Sequence, residues 1–140
     1  MNYQKQLEEL ILQNENSRKK LLLHSCCAPC SSYVLEYLRE YFDITVFFYN
    51  PNISSSIEYE KRMQEEIRLI EAYNEQVRNG NFENMNSTRK AGLIQIIEAE
   101  YEPSKFYEAV KGYEDLGEGS IRCRKCFELR LGESAKVAKN

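Results

Sequence analysis

The stretch that decides the fold is LLLHSCCAPCSS, residues 21–32. Residues 21–24 form a short, mainly apolar run that is typical of a buried strand in a parallel sheet. Ser31 or Ser32 is then expected to cap a helix that extends to about residue 41. A strand that leads directly into a helix predicts the first βα unit of an α/β domain.

The same alternation continues along the chain. The pattern predicts further strands at 44–50 and 93–99, and helices at 3–14, 57–77, 103–110 and 123–138. We therefore expect an N-terminal amphipathic helix in residues 1–18 and an α/β domain in residues 19–140, with a parallel sheet and flanking helices. Ligands of open α/β sheets bind outside the carboxyl ends of the strands, which is where the residues after 21–24 lie.

Composition limits the classes of function. The chain has 140 residues and a net charge of −3, which excludes a strongly basic, non-specific nucleic-acid coat but not an enzyme that acts on RNA. No apolar run approaches the length of a membrane span, so we expect no membrane partner. Five clustered cysteines are typical of metal or redox chemistry in a reducing cytoplasm.

The cysteines form two groups. Cys26, Cys27 and Cys30 follow the first predicted strand, and Cys123 and Cys126 form a CxxC pair near the start of the last predicted helix. A helix N-terminus favours the thiolate form of cysteine, and thiolates bind metals. The sequence therefore predicts a metal site, but spacing alone does not separate four-cysteine zinc from an iron–sulfur cluster.

Four other residues lie at the same predicted edge. His24 ends the first strand, where it could donate a proton or be a buried, hydrogen-bonded histidine. Tyr49, Asn50 and Asn52 follow the second strand. They are candidates for binding a substrate base, although Asn–Pro–Asn turn chemistry explains the same residues.

Several segments together resemble epoxyqueuosine reductases of the QueH type, over about residues 19–138. The segments that carry this resemblance are LLLHSCCAPCSSYVLEYL, FFYNPNI, EYEKRMQEEIRLIE, IIEAEYEPSKFYEAVKG and RCRKCFELRL. The resemblance implies a HUP-like, adenine-nucleotide-hydrolase-type three-layer fold. It also implies a cobalamin-independent iron–sulfur oxidoreductase that converts epoxyqueuosine to queuosine at the wobble position of tRNA, the last step of queuosine biosynthesis.

The resemblance further implies a ligand set and partners. A [4Fe–4S] cluster would be held by Cys26, Cys27, Cys123 and Cys126. An additional mononuclear iron would lie beside it, where Cys30 is placed to serve as a ligand or as a thiol. The implied partners are tRNA carrying epoxyqueuosine and an electron donor. The competing hypothesis is a non-catalytic α/β binding module stabilised by a four-cysteine zinc site.

One departure from the family affects these expectations. QueH-type proteins continue with a further strand–helix stretch and a late pair of closely spaced cysteines, whereas this sequence ends at Asn140. We therefore expect the C-terminal part of the family's fold to be missing here.

Overall fold

The computed structural model describes residues 2–13, 18–82, 91–117 and 119–139. Their helices and strands are α1 (Tyr3–Gln13), β1 (Lys19–His24), α2 (Ala28–Leu38), β2 (Phe42–Phe48), α3 (Ser56–Asn79), β3 (Gln95–Glu98), α4 (Pro103–Ala109) and α5 (Ile121–Lys139). The three strands form one parallel sheet in the order β1-β2-β3. The predicted α/β class, with a parallel sheet and flanking helices, is confirmed.

The register of the sheet brings the ends of β1 and β2 together. His24, the last residue of β1, pairs with Phe47 of β2. Directly beyond this pair, the Ser25 amide donates to the Phe47 carbonyl oxygen (3.2 Å), and the Asn50 side chain donates to the Ser25 carbonyl oxygen (2.8 Å). The segments that follow the two strands therefore share one edge of the sheet, as expected for parallel strands.

The predicted start of α2 is wrong. The helix begins at Ala28 rather than after Ser31 or Ser32, and extended Cys27 is its N-cap residue. Pro29 fits the first turn because its missing N–H would have no intrahelical partner there and its φ is already helical. Cys30 consequently lies inside the first turn of α2.

Two groups of buried side chains form the core. The larger one lies between the sheet and helices α2 and α3, and α1 adds partly buried Leu7 and Ile11 to it. The smaller one packs near the end of β2. The larger group consists of Leu35, Leu38, Phe42, Ile44, Val46, Ile70, Tyr73 and Ile94, and the smaller one of Phe48, Ile53, Tyr59 and Met63. Among the residues described, no helix is long and apolar enough to cross a membrane.

Buried Asn74 connects α3 to the segment that enters β3. Its amide donates to the Ile94 carbonyl oxygen (2.9 Å) and accepts from the Ile94 amide (2.7 Å). The side chain thus satisfies both backbone groups of a residue that is itself buried.

We expect Asn74→Ala to lower the free energy of unfolding by about 2 kcal/mol or more, because it leaves two buried backbone groups unpaired. Urea denaturation followed by circular dichroism measures this change. Asn79→Ala is the matched control: Asn79 is exposed on the same helix, so its effect should stay within about 0.5 kcal/mol. Equal losses in the two variants would contradict this account of Asn74.

Candidate functional site

The cysteine loop, residues 25–30, comprises the connection between β1 and α2 together with the first turn of α2, at the carboxyl edge of the sheet. The Cys26 and Cys27 Sγ atoms are 4.0 Å apart, both side chains are half-buried, and the Cys30 side chain is exposed. Although Cys26 and Cys27 are adjacent in the chain, their thiols point to one region. The loop therefore offers a group of thiols at the place where α/β proteins bind ligands.

The second pair of cysteines lies in the first turns of α5. The Gly119 amide donates to the Cys123 Sγ at 3.2 Å, and Gly119 has a φ of 80°, which favours glycine. Cys126 is buried. Because Arg130, one helical turn after Cys126, acts electrostatically on both Cys126 and Cys26, this pair lies on the same side of the molecule as the cysteine loop.

Arg130 connects the two groups of cysteines electrostatically. It follows Cys126 by one helical turn and hydrogen-bonds to its thiol, and its charge also acts on Cys26 and His24. Its guanidinium lies 4.9 Å from the centre of the Phe127 ring. Arg130 therefore supplies positive charge where several thiols would otherwise repel one another as thiolates.

The pKa values of the thiols in the cysteine loop differ. Burial, together with the neighbouring Cys27, raises the pKa of Cys26. Burial opposes ionisation of Cys27 as well, but hydrogen bonds from the side chain and backbone of Cys30 outweigh it and lower the Cys27 pKa. The hydrogen bond that Cys30 gives to Cys27 raises the pKa of Cys30. Cys27 is therefore the thiol of this loop that ionises most readily.

The chemistry of these side chains fits a thiolate-held metal centre, but the thiols are not gathered around one point. In the described ranges, no three histidine, cysteine, aspartate or glutamate side chains lie close enough together to hold a metal ion. The arrangement instead consists of two thiol pairs with Arg130 acting on both. The sulfur donors and the nearby cation match the preference of zinc and of iron–sulfur centres for soft ligands.

His24 is held by a backbone contact. Its Nε2 lies 2.7 Å from the Tyr49 carbonyl oxygen, which can only accept, so Nε2 carries the hydrogen. Burial lowers the pKa of His24, and the imidazole is therefore neutral at pH 7. This contact connects the end of β1 to the residue that follows β2.

The three candidate substrate residues occupy different places. Tyr49 is buried and stacks on Phe47 with 5.8 Å between ring centres, and Asn50 is buried and bonded to Ser25. Asn52 lines a cavity of about 540 Å³ that also contains Cys123 and Cys126. Of the three candidate side chains, only that of Asn52 lines this cavity.

The cavity combines aromatic, cationic and polar walls. Its other lining residues are Ser54, Phe106, Tyr107, Arg122, Phe127 and Arg130. The Asn52 Oδ1 and the Arg130 Nε are buried without a hydrogen-bond partner among the described residues. A concave site lined by aromatic side chains and a few polar and charged ones is typical of a ligand-binding site.

Sequence reasoning did not connect three residues with the cysteines. Arg130 carries a signal that could have found it, since it lies four residues after Cys126 and so on the same helix face. Arg62 of α3 acts electrostatically on Cys26 and Cys27. Glu66, fully buried on α3, contacts the cysteine loop through Ser31.

In the metal-free protein we expect Cys27 to be alkylated at lower pH than Cys26 or Cys30. The rate of alkylation follows the thiolate fraction of Cys27, and this fraction falls only when the pH drops below the lowered pKa of Cys27. Cys30→Ala removes one stabilising hydrogen bond and should move the Cys27 midpoint to higher pH, whereas Cys123→Ala should leave it unchanged. Tandem mass spectrometry of iodoacetamide-treated protein measures the alkylation of each cysteine. If the pH midpoint for Cys27 does not shift in Cys30→Ala, Cys30 does not lower the pKa of Cys27.

Comparison with known proteins relates this sequence to a protein family. A family model described as epoxyqueuosine reductase QueH matches residues 21–140. Curated proteins of that name from Staphylococcus aureus, Staphylococcus epidermidis and Streptococcus pyogenes are 44%, 40% and 35% identical to this chain. Each alignment covers 99% of this chain, and it covers 54%, 54% and 50% of the respective relative.

The chain thus spans about half the length of the curated relatives it matches. The matched region contains all of β1 except its first two residues, the cysteine loop and all of α5. Both cysteine groups and the cavity between α4 and α5 therefore fall inside the family's shared region. On this match, the chain belongs to the epoxyqueuosine reductase QueH family.

Proposed function

We propose that this chain carries the metal-binding half of an enzyme that reduces epoxyqueuosine to queuosine in tRNA. Its ligands would be Cys26, Cys27, Cys123 and Cys126, holding a [4Fe–4S] cluster. The observation that carries the proposal is the placement of both cysteine pairs at one end of the sheet, with Arg130 acting on each. The names of the matched family and of its relatives support the choice of reaction.

The reaction requires a redox centre. Converting an epoxide to an alkene consumes two electrons and two protons and releases the oxygen as water. A pair of cysteine thiols can supply two electrons by forming a disulfide, but thiols that hold a cluster are not free to do so. An iron–sulfur cluster delivers electrons one at a time. A separate electron donor is therefore part of the proposal. A zinc site would hold the fold together without supplying electrons.

The side chains of this region have complementary roles in the proposal. Arg130 offsets the negative charge of the thiolates and Arg62 adds positive charge beside Cys27. Burial of Cys126 keeps water from that ligand. His24 is neutral and holds the end of β1 against Tyr49; its role as a proton donor stays a prediction.

The cavity beside Cys123 is the proposed place for the modified base. Its aromatic side chains, Phe106 and Phe127, offer faces on which a base can stack, and Asn52 offers an amide for its polar edge. Arg122 is placed to meet a phosphate of the tRNA backbone. The predicted contributions of Tyr49 and Asn50 would then be structural support of the neighbouring loop.

Cys30 is proposed to act apart from the four ligands. It is exposed in the first turn of α2, and its thiol bonds to Cys27. This position suits either a ligand to an additional iron or a thiol that responds to the state of Cys27. The five free cysteines also support a reducing cytoplasm as the working compartment.

Anaerobic reconstitution with iron and sulfide should give a brown protein with about four irons and four sulfides per chain. Dithionite reduction should then produce an EPR signal of a reduced [4Fe–4S] cluster. Cys26→Ala and Cys126→Ala should lose the cluster, and Cys30→Ala, the matched control from the same loop, should retain it. Colourless protein with one equivalent of zinc would reject the iron–sulfur proposal in favour of the binding module.

Asn52→Ala should raise the KM for epoxyqueuosine-containing tRNA about five- to tenfold with little change in kcat, because a lost hydrogen bond is worth about 1–1.5 kcal/mol. Product nucleosides are measured by mass spectrometry after digestion, with dithionite-reduced enzyme. Asn79→Ala, an exposed asparagine on α3, serves as the matched control. An unchanged KM in Asn52→Ala would mean that the modified base does not bind beside Asn52.

A further inference from the structure

The most deeply buried acidic side chain beside the site is Glu66 of α3, which is 0% exposed. Its two carboxyl oxygens lie 2.8 and 3.1 Å from the Ser31 Oγ. The same Ser31 Oγ lies 3.0 Å from the Cys27 carbonyl oxygen and 3.3 Å from that of Ala28. Ser31 is therefore a junction between α3 and the end of the cysteine loop.

A serine hydroxyl has only one hydrogen to donate. If Glu66 were ionised, the Ser31 hydrogen would go to the carboxylate, and the Cys27 carbonyl oxygen would lose that donor. If Glu66 is protonated, its O–H donates to the Ser31 Oγ and leaves the Ser31 hydrogen for Cys27. Ser25 Oγ is the other hydroxyl near the Cys27 carbonyl oxygen, but at 3.5 Å it is at the limit of a hydrogen bond.

Among the residues that the structure describes, Glu66 is buried without a counter-charge. Within the described part of the chain, Glu66 takes part in no ion pair, and its hydrogen-bonding neighbours are the hydroxyls of Ser31 and Ser25. Burial without a cation raises its pKa, although these hydroxyls oppose the shift. A negative charge on Glu66 would also lie close to the cysteine loop, where it would oppose ionisation of the thiols.

We propose that neutral Glu66 is a positioning residue for the cysteine loop: it donates to Ser31, and Ser31 in turn holds the carbonyl group of Cys27. The Cys27 carbonyl already accepts the Ser31 amide (3.2 Å) as the first hydrogen bond of α2. A second donor at this corner fixes the peptide plane that follows Cys27. That plane sets where the Cys27 thiol points relative to Cys26 and Cys30.

This role extends the proposed function, because it assigns the residue that orients one of the proposed cluster ligands. It does not depend on the cluster for its test, since the orientation of Cys27 exists in the metal-free protein. The readout is the rate of alkylation of Cys27 relative to that of Cys30, because the orientation of the Cys27 thiol sets its contacts with Cys26, 4.0 Å away, and with Cys30. Losing the orientation weakens these contacts and makes Cys27 less reactive relative to Cys30.

The experiment compares Glu66→Gln with Glu66→Ala in the metal-free protein. A glutamine amide can donate to Ser31 as a neutral carboxyl does, whereas alanine cannot. We expect the rate of iodoacetamide alkylation of Cys27 relative to Cys30 at pH 7.5 to fall at least about threefold in Glu66→Ala, corresponding to a change of roughly half a pKa unit. Glu66→Gln should keep the wild-type ratio.

Further variants separate positioning from general destabilisation. Ser31→Ala removes the junction without a large cavity and should lower the ratio as Glu66→Ala does. Its neighbour Ser32, whose hydroxyl bonds to Pro29 instead, provides the control Ser32→Ala. Asn74→Ala, destabilised at a distance from the loop, should also keep the wild-type ratio. These two controls distinguish a local loss of orientation from unfolding.

Two results would overturn the inference. An unchanged ratio in both Glu66→Ala and Ser31→Ala would mean that this contact does not orient Cys27. A ratio in Glu66→Gln as low as in Glu66→Ala would mean that donation from a neutral group is not what matters. After reconstitution, Glu66→Gln should also retain the wild-type EPR line shape. If the wild type binds zinc and no iron, the proposed function fails while the alkylation ratios still decide the role of Glu66.

Discussion

The hydrogen bond from the Asn50 side chain to the Ser25 carbonyl oxygen fixes the point at which the chain leaves β1. Both residues are buried, so water cannot replace this contact cheaply. The Ser25 amide bonds to Phe47, and His24 bonds to the Tyr49 carbonyl oxygen. These contacts hold the residues after two neighbouring strands together, and the cysteine loop has its position because of them.

The site brings two groups of thiols to one side of the molecule, and neighbouring thiols repel one another if they ionise. The cations that offset this repulsion come from two different helices: Arg62 from α3 and Arg130 from α5. Neutral Glu66 would support the loop without adding negative charge. The stability of the loop and the ionisation of its thiols therefore depend on the same surrounding helices. Variants that keep the fold can separate the role proposed for one residue from the role proposed for another.

Much of the fold was predictable because its patterns are local. The apolar run before the cysteines and the β-branched run of β2 predicted parallel strands, and the residues after them fell at one edge as expected. The start of α2 was predicted wrongly, because serine is a common cap and the suitability of Pro29 for a first turn was not weighed. Glu66 was missed because its partner, Ser31, is 35 residues away in the sequence.

The sequence by itself determined the class of fold, the family and the two groups of cysteines, because strand and helix periodicity and short motifs are properties of neighbouring residues. The tertiary structure alone decided which side chains support those cysteines: Arg130 acting on both groups, His24 held by Tyr49, and Ser31 between Glu66 and Cys27. Those contacts depend on how the helices pack on the sheet. Packing brings together residues that are far apart in the sequence, and no local sequence pattern predicts which of them meet.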